Sequence, residues 1–145
     1  MAIKSDFGDE FAVVLGRVSR QWRTRLDERL KGNGLTQARW IVLLMLSRSG
    51  PISQRDLAKS ISVEGPTLVR VLDKLEKQGL VTRLACDDDR RVKQIHLTAA
   101  AKPMLGKITR IAIELRNELL ANVAGADLEA ALRVLNAIND QLERP

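Results

Sequence analysis

At 145 residues and a net charge of +6, the chain is long enough for one domain with a core of its own, and 45% hydrophobic with 29% charged residues excludes a disordered polymer. Aromatic residues are only 3%, so the core must be aliphatic, which favours helix packing, and a single cysteine, Cys86, excludes an internal disulfide and a cysteine-based zinc finger. The longest apolar run, Trp40 to Leu46, is far too short for a bilayer, and Lys4, Asp6, Asp9 and Glu10 interrupt any signal-peptide run, so no membrane and a cytoplasmic location are expected.

Residues 7–30 set Phe11, Leu15, Val18, Trp22 and Leu26 at steps of three and four, which predicts a long amphipathic helix. Arg25 and Arg29 fall on the same stripe, and Lys31-Gly32-Asn33-Gly34 is a stop signal. Thr36 is placed to cap the next helix, which is apolar on nearly every side from Trp40 to Leu46, the pattern of a buried helix. Ser49-Gly50-Pro51 ends it. Ser53 with Asp56 three residues on resembles a capping box and opens a short helix through Leu57 and Ala58, followed by a turn over Ser60 to Val63.

The next helix, Glu64 to Gln78, has Pro66 near its start. It carries Leu68, Leu72 and Leu75 on one face and Thr67, Arg70, Lys74 and Lys77 on another, and Gly79 supplies a left-handed cap. Leu80–Cys86 and Val92–Leu97 read as the two strands of a hairpin whose tip is Asp87-Asp88-Asp89-Arg90-Arg91. Thr98 is placed to cap a final helical region, in which Pro103 demands a kink or a short preliminary turn. Leu105, Ile108, Ile111, Leu115, Leu119 and Val123 then give a helix over 104–123. Gly125 breaks the chain, and Leu128, Leu132, Leu135, Ile138 and Leu142 mark a last helix over 127–143.

Charge is divided along this order. From Lys102 onward six basic residues meet six acidic ones, so the whole excess lies in residues 1–101. A basic part suited to a polyanion and a neutral helical part suited to protein contact follow from that division. A short helix, a turn, a second helix and a basic-tipped hairpin make a winged helix. The expected fold is therefore mainly α (α+β): a winged helix-turn-helix with long N- and C-terminal helices forming a dimerisation region. Those helices carry more apolar stripe than a small winged helix covers, and closed two-fold dimers are the commonest way to bury such surfaces.

Several motifs together resemble the MarR family of bacterial winged-helix regulators over nearly the whole chain. They are Leu35-Thr36-Gln37 followed by Trp40, Leu57-Ala58, Pro66-Thr67-Leu68-Val69-Arg70, Leu75-Glu76, Gly79-Leu80-Val81, Arg83, Asp89-Arg90-Arg91 and Leu97-Thr98. The helix 64–78, the wing with Cys86, and Trp22 and Trp40 make the chain most similar to the SlyA-type branch. The resemblance implies a single domain over 1–145, with 35–98 as the DNA-binding part and 1–34 and 99–145 as the helical dimerisation part. It implies a transcriptional regulator that binds a pseudo-palindromic operator in double-stranded DNA as a homodimer and is released by a small ligand. The ligand pocket is expected between the dimer helices and the winged helix, lined by Arg17, Arg20, Arg39 and Trp40; an arginine with an indole suits an aromatic carboxylate or its thioester.

The DNA-contacting set is Ser53, Pro66, Thr67, Arg70, Lys74, Arg90 and Arg91. Arg70 is the candidate base reader, because a guanidinium fork meets guanine O6 and N7 together. Thr67 suits a base methyl or a phosphate, and Lys74 and Lys77 suit phosphates or a plain solvated face. Arg90 is the candidate for a narrow A·T-rich minor groove, Arg91 for a phosphate or for bracing the wing, and Asp89 for orienting an arginine. The three aspartates with His96 read as a solvated turn rather than a metal site, and Cys86 as packing rather than a redox switch. No acid–base or nucleophile constellation and no phosphate-binding glycine loop appears, so neither an enzyme nor a cofactor is expected. A helical protein-interaction adaptor that reuses a winged helix is the alternative, and Arg70, Arg90 and Arg91 weigh against it.

Overall fold

The computed structural model describes the backbone of residues 2–32, 35–61 and 64–145, and side chains within these except those of 2–6 and 37. The Asn33-Gly34 stop and the Ser62-Val63 half of the expected turn lie outside the described residues. The elements are α1 (Ala2–Lys31), α2 (Gln37–Ser49), β1 (Ile52–Ser53), α3 (Gln54–Ile61), α4 (Gly65–Lys77), β2 (Val81–Ala85), β3 (Lys93–Leu97), a 3-10 turn (Ala99–Ala101), α5 (Lys102–Leu119) and α6 (Gly125–Leu142). The chain divides into two compact units, Met1–Ala112 and Ile113–Pro145.

In the first unit the apolar spacing seen in the sequence becomes a core. Leu68, Leu72 and Leu75 are the buried face of α4, which packs against α2 and α3, and with Leu57 of α3, Leu43 and Leu46 of α2 and Ile95 of β3 they are fully or almost fully buried. A three-stranded antiparallel sheet of order β1-β3-β2 closes one side, with Arg83 opposite Ile95 and Val81 opposite Leu97. Gly50 and Gly79, at φ 73° and 72°, make the left-handed turns that end α2 and α4. Leu72 has no solvent exposure, so Leu72→Ala should lower stability by about 2–5 kcal/mol, read as a shift in the denaturant midpoint at unchanged slope.

Several details depart from expectation. Helix α1 begins at Ala2 rather than near residue 7. The strand β1 was not expected; Ile52 and Ser53 pair with Ile95 and Gln94. Helix α3 takes in Ser60 and Ile61, which the sequence assigns to a turn. Ser53 does cap it, its hydroxyl accepting from the Asp56 N–H at 3.0 Å. Thr36 and Thr98 hold cap positions without side-chain capping bonds. Thr98 instead donates its hydroxyl to the Gly79 carbonyl at 2.5 Å, fastening the end of β3 to the turn before β2. The short turn demanded by Pro103 is the 3-10 turn, and Pro103 falls in the first turn of α5, where a missing N–H costs nothing. Gly125 opens α6 rather than breaking the chain; α5 ends at Leu119, before the expected 123.

The apolar stripes at the two ends stay open. On α1, Leu26 and Leu30 are buried, whereas Phe11, Leu15 and Val18 are exposed. In the second unit α6 buries no residue, and Leu132, Val134, Leu135 and Leu142 are exposed. Among the described residues no helix is long and apolar enough to cross a membrane.

Candidate nucleic-acid interface

Helix α4 presents opposite chemistries on its two sides because its leucines recur every three to four residues and its polar residues fill the remainder. Pro66 stands in the first turn, where its fixed φ starts a helix. Pro66, Thr67, Arg70, Lys74 and Lys77 are all exposed. Among the described residues none offers Arg70, Lys74 or Lys77 an ion pair or hydrogen bond, so their cations are available to a ligand.

The hairpin β2–β3 closes through the Cys86 N–H donating to the Val92 carbonyl at 2.9 Å and the Val92 N–H donating to the Asp89 carbonyl at 3.0 Å. Asp89 holds Arg91: one carboxylate oxygen accepts from the Arg91 backbone N–H at 3.0 Å and from its Nε at 3.3 Å. Arg90 is exposed and has no such partner among the described residues. Cys86 is a half-buried free thiol, and His96 Nε2 lies 3.1 Å from the Gln94 side-chain oxygen. Among the described residues no three candidate metal ligands come together.

Pairing of β1 with β3 brings the start of α3 beside the wing. A groove of about 1010 Å³ opens there, lined by Ser53, the N-terminal turn of α4 and the four cations Arg55, Lys59, Arg91 and Lys93, against the acids Asp56 and Glu64. Sequence reading missed Arg55, Lys59 and Lys93. The signal that gathers them is a two-residue strand, too short for any periodicity.

Arg83 was also without a role. Its guanidinium spans two carboxylates of α4, with Nε donating to Glu76 at 2.7 Å and Nη2 to Asp73. The hydrogen bond to Asp73 and then that to Glu76 hold it more firmly protonated than usual, against the opposing effect of burial.

Of the residues expected at a ligand pocket, Trp40 borders a cavity of the described chain. Trp40 is buried, and its indole Nε1 donates to Asp27 at 3.1 Å. It borders a small pocket of about 280 Å³ lined by Ser19, Trp22, Arg23, Leu26 and Trp40. Arg17, Arg20 and Arg39 do not line it. Arg20 lies back over Gly16 of its own helix, 3.2 Å from where a Cβ would stand. Helical phase is the reason: residues 19, 22, 23 and 26 share one face of α1, and positions 17 and 20 fall off it. The cation beside the two indoles is Arg23.

A family model described as MarR family matches residues 35–93. The crystal structure of the transcriptional regulator PA3341 is 47% identical, covers 92% of this chain and 98% of its own, and superposes with a TM-score of 0.85. The transcriptional regulator BldR from Sulfolobus solfataricus is 25% identical over 97% of this chain and 99% of its own, with a TM-score of 0.81. A mutant MarR from E. coli complexed with operator DNA is 24% identical over 89% of this chain and 93% of its own, with a TM-score of 0.73, a likeness of fold.

Proposed function

The chain belongs to the MarR family, and on that premise we propose that it acts in the cytoplasm as a homodimeric transcriptional regulator on a pseudo-palindromic operator. The observation that carries this reading is the exposed row Thr67, Arg70, Lys74, whose side chains have no partner among the described residues, on a helix whose other face is fully buried. A helix anchored in this way can enter a major groove without unfolding its own domain. Arg70 reads a base edge, while Pro66 and Thr67 bring the first turn of α4 against the duplex and Lys74 meets a phosphate. Arg90 enters the adjacent minor groove, and Arg91, braced by Asp89, meets a phosphate. Ser53 lies at the mouth of the groove whose Arg55, Lys59 and Lys93 line the path of a DNA backbone. A mutant MarR of E. coli is known in complex with operator DNA, which supports this docking for a chain of the same fold. Trp22, Trp40 and the Cys86 wing favour the SlyA-type branch.

Binding of duplex DNA measured against salt tests the reading. Affinity should fall steeply as salt rises, and Arg55→Ala or Lys93→Ala should each flatten the log–log slope by about 0.9 while leaving sequence preference intact. A slope unchanged in both variants would remove the groove from the interface.

The effector is an aromatic carboxylate, or the acyl part of its thioester, held at Trp22, Arg23 and Trp40 and favouring a dimer whose two α4 helices are wrongly spaced for DNA. Arg23→Ala should abolish the tryptophan-fluorescence response to a panel of such acids and leave DNA binding without ligand nearly intact. Trp40→Ala is the poorer probe, because truncating a buried indole also costs about 3–5 kcal/mol of stability. An unchanged response in Arg23→Ala would exclude this pocket.

A further inference from the structure

We propose that Arg83 is a positioning residue for DNA binding: it fixes the wing against the flank of α4 and, with its single positive charge, offsets part of the negative charge that Asp73 and Glu76 of α4 would otherwise hold beside DNA phosphates. This rests on the reading that α4 and the wing bind DNA together.

The reason to look for such a device is a conflict within α4. Asp73 follows Arg70 by three residues and precedes Lys77 by four, which sets it next to both on the helix surface. Glu76 lies a turn further along the same flank. Three cations, Arg70, Lys74 and Lys77, against these two acids leave the helix only one positive charge, little for an element entering a polyanion groove. Arg83, supplied by β2, engages both acids through different nitrogens of one guanidinium.

The same contact is a mechanical link. Between α4 and β2 lies only the Gln78–Leu80 turn, with Gly79 left-handed and the Leu80 N–H donating to the Leu75 carbonyl at 2.9 Å. Thr98 braces this turn through the Gly79 carbonyl. Arg83 adds a second tie, from mid-strand β2 to two successive turns of α4. A planar fork gripping two carboxylates fixes orientation as well as distance, which a lysine ammonium does not. The Arg83 side chain is 22% exposed and its partners 52% and 45%, so the pairs contribute little to stability. Their effect lies in where the hairpin, and hence Arg90 at its tip, stands relative to α4.

The test uses the full chain and duplexes recovered by selection on the wild-type protein, with flanks exchanged for A·T-rich or G·C-rich sequence, in fluorescence-anisotropy titrations. Arg83→Ala should bind every duplex about tenfold more weakly, because Asp73 and Glu76 then face the phosphates as an unmatched like-charge juxtaposition. The preference for A·T-rich flanks should fall towards one. Adding Asp73→Asn and Glu76→Gln to Arg83→Ala should restore general affinity but not flank preference, because the repulsion is gone and the tie is still missing. Arg83→Lys should keep general affinity within about threefold, since the charge remains, and lose flank preference. It decides the matter if Arg83→Ala fails to fold by circular dichroism. Wild-type binding with unchanged affinity and flank preference in both single variants overturns the proposal alone. Loss of affinity with flank preference preserved overturns the positioning role. Failure of the triple variant to regain affinity overturns the charge-offsetting role. A wild-type protein that binds no duplex overturns both the DNA reading and this one.

Discussion

Removing residues 126–145 should turn the protein into a monomer and abolish operator binding at concentrations where the intact chain is saturated. The deletion takes away α6, whose Leu132, Val134, Leu135 and Leu142 remain exposed in the single chain, Leu142 by as much as 78%. Covering a half-exposed leucine or valine contributes roughly 1 kcal/mol, so four side chains on each of two copies supply about 8 kcal/mol. That equals the free energy of a micromolar dimer before the entropy of association is charged against it. A stable dimer should therefore draw on the open stripe of α1 as well, with Phe7, Phe11, Val14 and Val18 exposed there. A monomer then meets one half-site and loses the second as an intramolecular event. Light scattering reads the result directly. A truncated chain that stays dimeric at micromolar concentration, or an intact chain that is monomeric there, would contradict it.

Arg70→Ala should cost about 1–3 kcal/mol per half-site at the operator, counted twice in a dimer, and should blur preference at one base position in each half-site. Its guanidinium is exposed and unpartnered among the described residues, one turn beyond the start of a helix locked in place by Leu68, Leu72 and Leu75. Arg90→Ala should act through groove width instead, with its loss greatest where the flanks are A·T-rich. Competition titrations over single-base operator variants and exchanged flanks separate the two. If both variants lost the same affinity on every duplex, specific or not, Arg70 would be a phosphate contact and not a reader of bases.

How much of this was legible follows from how local each signal is. The boundaries of α4 came within a residue because its leucine spacing, Pro66 and Gly79 all lie within the helix or next to it. The hairpin was legible for the same reason. The strand β1 was not, because two residues carry no alternation and exist as a strand only through β3. The cationic groove depended on that pairing and went unseen with it. Arg83 was visible as a motif residue, but its reach to Asp73 and Glu76 depends on how the turn folds β2 back along α4. The arginines of α1 are placed by a signal of another kind. The sequence offers Arg17, Arg20 and Arg39 beside Trp40, and the phase of α1 instead sets Arg23 in the pocket that Trp40 borders. Thr98 was correctly placed at a cap position, yet its hydroxyl serves the Gly79 carbonyl, a long-range contact that competes with local capping.

Operator selection from random duplex DNA by the intact protein is the most direct measurement. The expected result is an enriched sequence with two-fold symmetry, its half-sites about one helical turn or a multiple apart, and A·T-rich steps where Arg90 would enter the minor groove. Selected DNA without symmetry, or no enrichment over the starting pool, would contradict a dimer reading bases through Arg70.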